Sequence, residues 1–423
     1  MSASKWKPYQ EYEQARFDWL GKIPSHWKTG PLKMTLRLST EKNGTTPVGE
    51  MLSVSGFRGI ETKIYDHEDQ KRTDQDLEDY RVVRKGQLVV NTMWLNHSGL
   101  GVSDLEGHVS PAYRSYNVDG QYHGKFLHHL VRSSTYVGHY CSLLYGIRPN
   151  SYQVKNHDWD RVELLIPPIR EQQEIAKILD TFTKKIDAQI HGLEKQSALL
   201  EEKRSTLIMQ AVTKGLESNV EMKDSGINWI GKIPNRWIVG KIKHFCRNLN
   251  YKRLPLSGEE RSYRQGKYDY YGASGVIDHI DDYLFDEPTV LIAEDGANLV
   301  LRNLPLAIFA EGKYWVNNHA HILKPNDGAY QYWCELLESQ DFNPSVTGSA
   351  QPKLTADAIM NYIVAIPNDI NERFEIQDYL ISTNKIYVPL MDKIREKIIL
   401  LQEYKTALIS AAVTGKIDVR GQA

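Results

Sequence analysis

Cysteine is scarce in this chain of 423 residues: Cys141, Cys246 and Cys334 are far apart and show no CxxC or Cys/His ligand spacing. That excludes a disulfide framework or a structural zinc site and fits a reducing compartment. No apolar run reaches membrane-spanning length, and Met1-Ser-Ala-Ser-Lys-Trp-Lys-Pro8 lacks the apolar core of a signal peptide. A cytoplasmic protein is the expectation. Charge of one sign is also missing, since 52 basic residues face 53 acidic ones for a net charge of −1. A protein that grips DNA unaided is usually basic, so this balance leaves room only for local basic patches or for partners that share the phosphate contacts.

Catalytic motifs are missing as well. There is no P-loop, and Gly272-Ala-Ser-Gly275 lacks the spacing of a dinucleotide fingerprint. The Asn/Asp-Pro-Pro-aromatic motif of amino-methyltransferases is absent, and Asn343-Pro-Ser-Val346 does not replace it. Glu294-Asp295 follows an apolar run where a nuclease could hold metal, but no lysine follows at nuclease spacing, which favours a capping or turn role. His128-His129 and His319-Ala-His321 lack companion ligands and read as surface or core histidines. The expectation is a recognition protein without a catalytic residue or a cofactor of its own.

What is present is a repetition. Asp18-Trp-Leu-Gly-Lys-Ile-Pro-Ser-His-Trp27 returns as Asn228-Trp-Ile-Gly-Lys-Ile-Pro-Asn-Arg-Trp237. Each copy runs through short apolar segments into a long amphipathic stretch, from Ile166-Pro167 to Ala211-Val212-Thr213 and from Ile366-Pro367 to Ala412-Val413-Thr414. A period near half the chain means two copies of one module, not a solenoid. Four segments follow: 1–165, 166–217, 218–365 and 366–423.

The first long stretch carries an apolar residue every seven positions, at Leu179, Ile186, Leu193, Leu200 and Leu207. The second repeats this at Leu380, Tyr387, Ile394, Leu401 and Leu408. Such spacing predicts a coiled-coil seam, and about forty residues of helix make a rod of roughly 60 Å. Matched registers favour pairing within the chain; packing into separate domains or dimerisation through the helices are the other readings. Gln189 and Gln196 sit at core-type positions in the first helix, and Pro389 predicts a kink in the second.

The two remaining segments share strand-type runs such as Gly86-Gln-Leu-Val-Val-Asn91 and Thr289-Val-Leu-Ile-Ala293, broken by Gly, Asn and Asp. Between Arg247 and Tyr271 lie Arg247, Lys252, Arg253, Arg261, Arg264 and Lys267, interleaved with Tyr251, Tyr263, Tyr268, Tyr270 and Tyr271. Basic residues neutralise phosphates and tyrosines add flat contacts, so this tract is either a nucleic-acid surface or a solvated loop over packed tyrosines. Asn317-Asn318-His319 and Gln351-Pro-Lys353 offer paired donors and acceptors for base edges, or turn chemistry. Asn91, Trp94 and Asn96, then Tyr113-Arg114 and Arg148, hold comparable positions in the first half with the same two readings.

Two strand-rich segments alternating with two long helices resemble the specificity subunit of type I restriction–modification systems, over almost the whole chain from about Asp18 to Val419. The resemblance rests on the paired tryptophan-bounded openings, Ile166-Pro-Pro-Ile-Arg-Glu-Gln-Gln-Glu-Ile175 and the Ala-Val-Thr endings. It also rests on Tyr270-Tyr-Gly-Ala-Ser-Gly275, Leu291-Ile-Ala-Glu-Asp-Gly-Ala-Asn298, Trp315-Val-Asn-Asn-His319 and Gly348-Ser-Ala-Gln-Pro-Lys-Leu354. Lys85-Gly-Gln-Leu-Val-Val-Asn91 and Val109-Ser-Pro-Ala-Tyr113 match in the first half. These runs add Ser274 and Asn298 to the candidate contacts. Two departures stand out: Gly146-Ile-Arg-Pro-Asn150 where the second half has Gly348-Ser-Ala-Gln-Pro352, and Asn368-Asp-Ile-Asn-Glu372 opening the second helix.

The resemblance implies an α+β fold of two target-recognition domains alternating with two helices that pair as an antiparallel coiled coil, with pseudo-two-fold symmetry. Each domain would read one half of a bipartite, asymmetric site in double-stranded DNA. The helices would set the spacing and dock two modification subunits, which bind S-adenosylmethionine and methylate an adenine flipped from the duplex. Two restriction subunits, where a system has them, would supply ATP, Mg and cleavage. A protein-interaction scaffold with a coiled-coil spacer is the competing reading from another class.

Overall fold

The computed structural model describes residues 6–56, 59–65, 77–146, 152–217, 219–348 and 351–421. Packing gathers the chain into two compact units, one of residues 1–193 with 396–423 and one of residues 194–395. These do not follow the four sequence segments, because each long helix is divided between the units. In the first unit Ile175, Ile178 and Leu179 from one helix, and Leu408, Ala412 and Val413 from the other, complete a single core with the first strand-rich segment. In the second unit Ile208, Ala211 and Val212 join Ile376 and Leu380 beneath the second segment.

Each unit holds two four-stranded sheets. In the first, one sheet runs Gly59–Thr62, Glu50–Ser55, Gly107–Val109, Arg81–Val83, and the other Arg37–Leu38, Tyr113–Asn117, Leu88–Asn91, Leu100–Val102. In the second, the matching orders are Gly275–Ile280, Gln265–Gly272, Lys313–Val316, Phe285–Asp286 and Cys246–Asn248, Ala320–Pro325, Thr289–Ala293, Ala307–Ala310. The sheets agree in the place of their parallel pair, Gly107–Val109 on Glu50–Ser55 and Lys313–Val316 on Gln265–Gly272. Two segments of low sequence similarity therefore share one topology.

The central strands show why. Leu88–Asn91 and Thr289–Ala293 are buried along their whole length, as strands covered on both faces must be. Val89 and Leu291 point between the two sheets of their units, while Leu88 and Val90, or Val290 and Ile292, point to the helix side. Period-two alternation thus divides one apolar run between two cores.

The long helices span Ile169–Lys214 and Ile370–Val413. They pair antiparallel: Asp187 meets Lys405 at 2.7 Å in the first unit, and Arg204 donates to Asn384 at 2.8 Å in the second. All ten heptad positions read from the sequence are buried or half-buried, with Leu179, Ile186, Leu380, Ile394 and Leu408 the deepest. Gln189 and Gln196 face solvent, which is how polar residues at nominal seam positions are accommodated. The second helix continues through Pro389, whose ring is exposed.

The tryptophan that closes each opening motif is the joint between segment and helix. Trp27 Nε1 donates to Glu171 Oε1 at 3.0 Å, and Trp237 Nε1 donates to Glu372 Oε1 at the same 3.0 Å. The other carboxylate oxygen meets the residue before the tryptophan, the His26 ring at 2.8 Å or the Arg236 guanidinium at 3.0 Å. Glu372 therefore fills the place of Glu171 although the second helix opens with a different sequence. Gly415, with φ of +71°, follows the second helix, and a Cβ there would lie 2.4 Å from Pro24 Cδ. Trp27→Phe and Trp237→Phe each remove a buried bond to a carboxylate, and each is expected to cost about 2–4 kcal/mol. Urea unfolding followed by circular dichroism checks this; a loss under about 0.5 kcal/mol at either site would contradict the joint.

Candidate nucleic-acid interface

In the second unit four loops meet at one end of the sheets, and backbone bonds hold them. Gly272 pairs with Gly275 across the two-residue turn Ala273-Ser274. Asn317 N donates to Tyr271 O at 3.0 Å, and Glu294 N donates to His319 O at 2.9 Å. Leu354 N donates to Glu294 O at 2.8 Å and Gly296 N to Pro352 O at 3.0 Å. Gly348 opens the last loop with φ of +84°, and a Cβ there would sit 2.6 Å from Gln351 O. The runs around Ser274, Asn298, Asn317–His319 and Gln351–Lys353 are thus neighbours.

Charge organises this end. Arg253 Nη1 lies 2.5 Å from Glu294 Oε2 and also donates to Asn318 O and Ala320 O, at 3.2 and 2.9 Å. Lys353 Nζ meets the other Glu294 oxygen at 3.2 Å. Burial alone would raise the Glu294 pKa, but Arg253, His321 and Lys353 together bring it below the usual glutamate value. Asp295 takes His319 Nδ1 at 2.8 Å. Glu294 is therefore an ion-pair strut to distant segments and Asp295 a partner of the His319 ring, in place of the capping or turn role read from the sequence. His321 is buried, with Nε2 at 2.7 Å from Leu354 O and Nδ1 at 2.8 Å from Asn250. Desolvation holds its pKa down.

A carboxylate with a depressed folded pKa stabilises the fold above its unfolded value, and that contribution fades as pH falls through the folded value. Between about pH 6 and 3, Glu294→Gln is therefore expected to flatten the acid limb of the stability curve. Melting temperatures across that range, wild type against variant, check the slope; parallel curves would remove Glu294 from the acid response.

The candidates divide by what their side chains already do. Exposed are Asn318 and Gln351, with His319 and Lys353 exposed but already held by Asp295 and Glu294; Lys267 lies near Tyr268, and Ser274 is half-exposed in its turn. Four others are occupied by the fold. Tyr270 is fully buried beside Ile280 and Trp315, its hydroxyl accepting from Leu256 N, so its side chain offers nothing to a ligand. Asn317 is buried and spends Oδ1 on His319 N. Asn298 holds Leu304 through both of its amide atoms. Arg264 lies over the Trp315 ring and pairs with Asp281 at 3.0 Å. Tyr271 is half-buried, edge-on to Tyr314.

The basic tract is less basic in three dimensions than in one. Lys252 meets Glu287, Arg253 meets Glu294, Arg261 meets Asp278 and Arg264 meets Asp281. Only Arg247 and Lys267 of the six have no ion pair among the described residues. Tyr251 and Tyr263 are broadly exposed.

In the first unit Asn91 is buried and accepts from Met93 N at 3.2 Å, while Tyr113 is half-buried against it. Trp94 is exposed, and Asn96 keeps a buried Oδ1 without a partner among the described residues. Arg114 donates to Asn156 at 2.6 Å. Arg148 lies outside the described residues. Arg132, unnoticed in the sequence, donates to the carbonyls of Ser55, Gly56, Ser98 and Leu100 and holds the loops of this end together. Its neighbour His128 is kept neutral, burial and then the Arg132 charge taking its pKa down to about 3.

Two strand-rich units of identical topology, each completed by portions of two antiparallel helices, define a class of duplicated α+β proteins. Residues 234–399 match the type I restriction modification DNA specificity domain. A specificity subunit of a type I restriction enzyme from Haemophilus influenzae is 31% identical over 120 residues, 28% of this chain and 30% of that one. The MjaVIII specificity subunit of Methanocaldococcus jannaschii is 23% identical over 286 residues, 62% of this chain and 64% of the relative. The matched stretches thus span under two thirds of either relative. One solved chain, from work on complex assembly and conformational transition of the type I system, shares the fold with a TM-score of 0.68 at 14% identity, covering 92% of this chain and 98% of that one. The likeness to the type I restriction modification DNA specificity domain thus covers residues 234–399, and the likeness of fold to that solved chain covers nearly the whole chain.

Proposed function

We propose that this chain is the sequence-reading subunit of a type I restriction–modification complex. Each unit reads one half of a bipartite, asymmetric site in double-stranded DNA, and the paired helices set the spacing and dock two modification subunits. S-adenosylmethionine belongs to those subunits, and ATP with Mg to restriction subunits where the system includes them. The chain itself supplies recognition and no chemical step, and it works in the cytoplasm beside the DNA.

One observation carries this reading: the units share a sheet order yet bear different side chains on equivalent loops. Strand registers pair Asn91 with Tyr113 and Ala293 with Ala320, so Ala112 matches His319 and Met93 matches Asp295. A common scaffold with divergent loop tips is what two readers of different half-sites need. Near-neutral net charge fits a reader whose partners contribute phosphate contacts.

The test is to express the chain with its modification subunits and map adenine methylation across a genome. A split asymmetric motif is expected, with binding to that motif weakening steeply as salt rises. Methylation without a split motif, or assembly with partners but no salt-sensitive DNA binding, would overturn the proposal in favour of a protein scaffold.

A further inference from the structure

We propose that His319, held in place by Asp295, reads one base pair of the second half-site through Nε2, and that the first half-site is read without a counterpart to it. This rests on the recognition reading above and adds which atom makes the contact. His319 Nδ1 lies 2.8 and 3.0 Å from the two Asp295 oxygens, so the proton shared with the acid sits on Nδ1 and Nε2 turns away from it. The imidazole is 47% exposed and the carboxylate 18%, which places the acid behind the ring and the ring toward solvent. Among the described residues Nε2 has no hydrogen-bond partner.

Both residues stand on fixed backbone. Asn317 Oδ1 accepts from His319 N at 2.8 Å, and Asp295 forms a bridge with Lys353. A ring that can rotate loses that freedom on binding, and a carboxylate that clamps it beforehand removes the cost from the contact. Asn318 and Gln351, both exposed, flank it with further donors and acceptors. A half-exposed polar contact contributes little to stability, so bracing the fold does not account for the arrangement. The first unit keeps the turn, Ala112 N donating to Ser110 Oγ at 3.4 Å, but has alanine and methionine where the second has histidine and aspartate. Asp295 is thus a positioning residue, and the pair separates the reading chemistry of the two units.

The experiment uses the full chain in complex with its modification subunits and compares methylated motifs. His319→Ala is expected to make one position of the second half-site degenerate, with discrimination there falling about tenfold or more and the first half-site unchanged. Asp295→Ala should weaken discrimination at that same position, and Asp295→Asn, which keeps an oxygen for Nδ1–H, should restore it. If methylation by His319→Ala is too weak to map, competition binding with duplexes substituted at each position reads the same quantity. A flat response at one second-half position then supports the inference, and an unaltered pattern overturns it. A wild-type motif that His319→Ala leaves intact, or a change in the first half-site, overturns this inference alone. A wild-type complex that methylates no split site overturns the recognition reading and this inference with it.

Discussion

Asp327→Ala is expected to destabilise the second unit by about 3–5 kcal/mol, because it strands a guanidinium in the core. Arg373 Nη1 lies 2.6 Å from Asp327 Oδ2, with the two side chains 8% and 4% exposed. Asp327 also accepts from Trp333 Nε1 at 2.9 Å and Ala329 N at 3.0 Å, and Arg373 Nε donates to Pro367 O at 2.9 Å. Each member of this group satisfies another, so removing one leaves several unpaired. The first unit solves the same problem without charge. There Gln172 donates to Pro167 O and Gln121 O, both at 2.8 Å, and accepts from His123 N at 2.9 Å. Gln172→Ala should accordingly cost less, about 1–3 kcal/mol.

The double variant Arg373→Met with Asp327→Asn decides whether the charge pair or the packing matters. Removing both charges together should cost clearly less than the sum of the single losses, since neither charge is then left buried alone. Urea unfolding followed by circular dichroism measures the cycle. Single losses that simply add, or an Asp327→Ala loss below about 1 kcal/mol, would mean that water reaches this pair.

The duplicated plan was legible because it rests on short-range pattern: repeated tryptophan-bounded motifs, a seven-residue period and apolar runs of strand length. Even the Trp237–Glu372 joint was half visible, through the first tryptophan motif and the glutamate of the first helix, and was obscured only by the changed residues before Glu372. The site was less legible, for a physical reason. Sequence counts charge within a window, whereas Arg253 meets an acid 41 residues away and Lys252 one 35 residues away. A tract read as six basic residues thus becomes two without an ion pair among the described residues. Burial is equally non-local: Tyr270 and Tyr271 look alike in sequence, but strand alternation turns Tyr270 into the core and leaves Tyr271 half-covered at the sheet face.

Arg253→Ala is the substitution expected to disable second-half reading most fully while leaving the first half-site recognised. Arg253 fastens the loops that would touch bases and makes no base contact itself. Its guanidinium spans Glu294, the carbonyls of Asn318 and Ala320, and Asn250 O at 3.3 Å, tying three segments far apart in sequence. With side chains 16% and 12% exposed, the Arg253–Glu294 pair lies between a surface bridge worth under about 1 kcal/mol and a fully buried one. A loss near 2–3 kcal/mol follows, and Lys353 and the His321 ring would then face Glu294 without it. Arg253→Lys should recover little, because an ammonium cannot meet the carboxylate and both carbonyls in one plane. Arg264→Ala is the internal control: its aspartate partners are exposed, so both stability and the second half of the motif should survive. Motif mapping with melting temperature measured alongside separates the outcomes. Second-half discrimination that persists in Arg253→Ala would show that the loops hold their geometry without this strut.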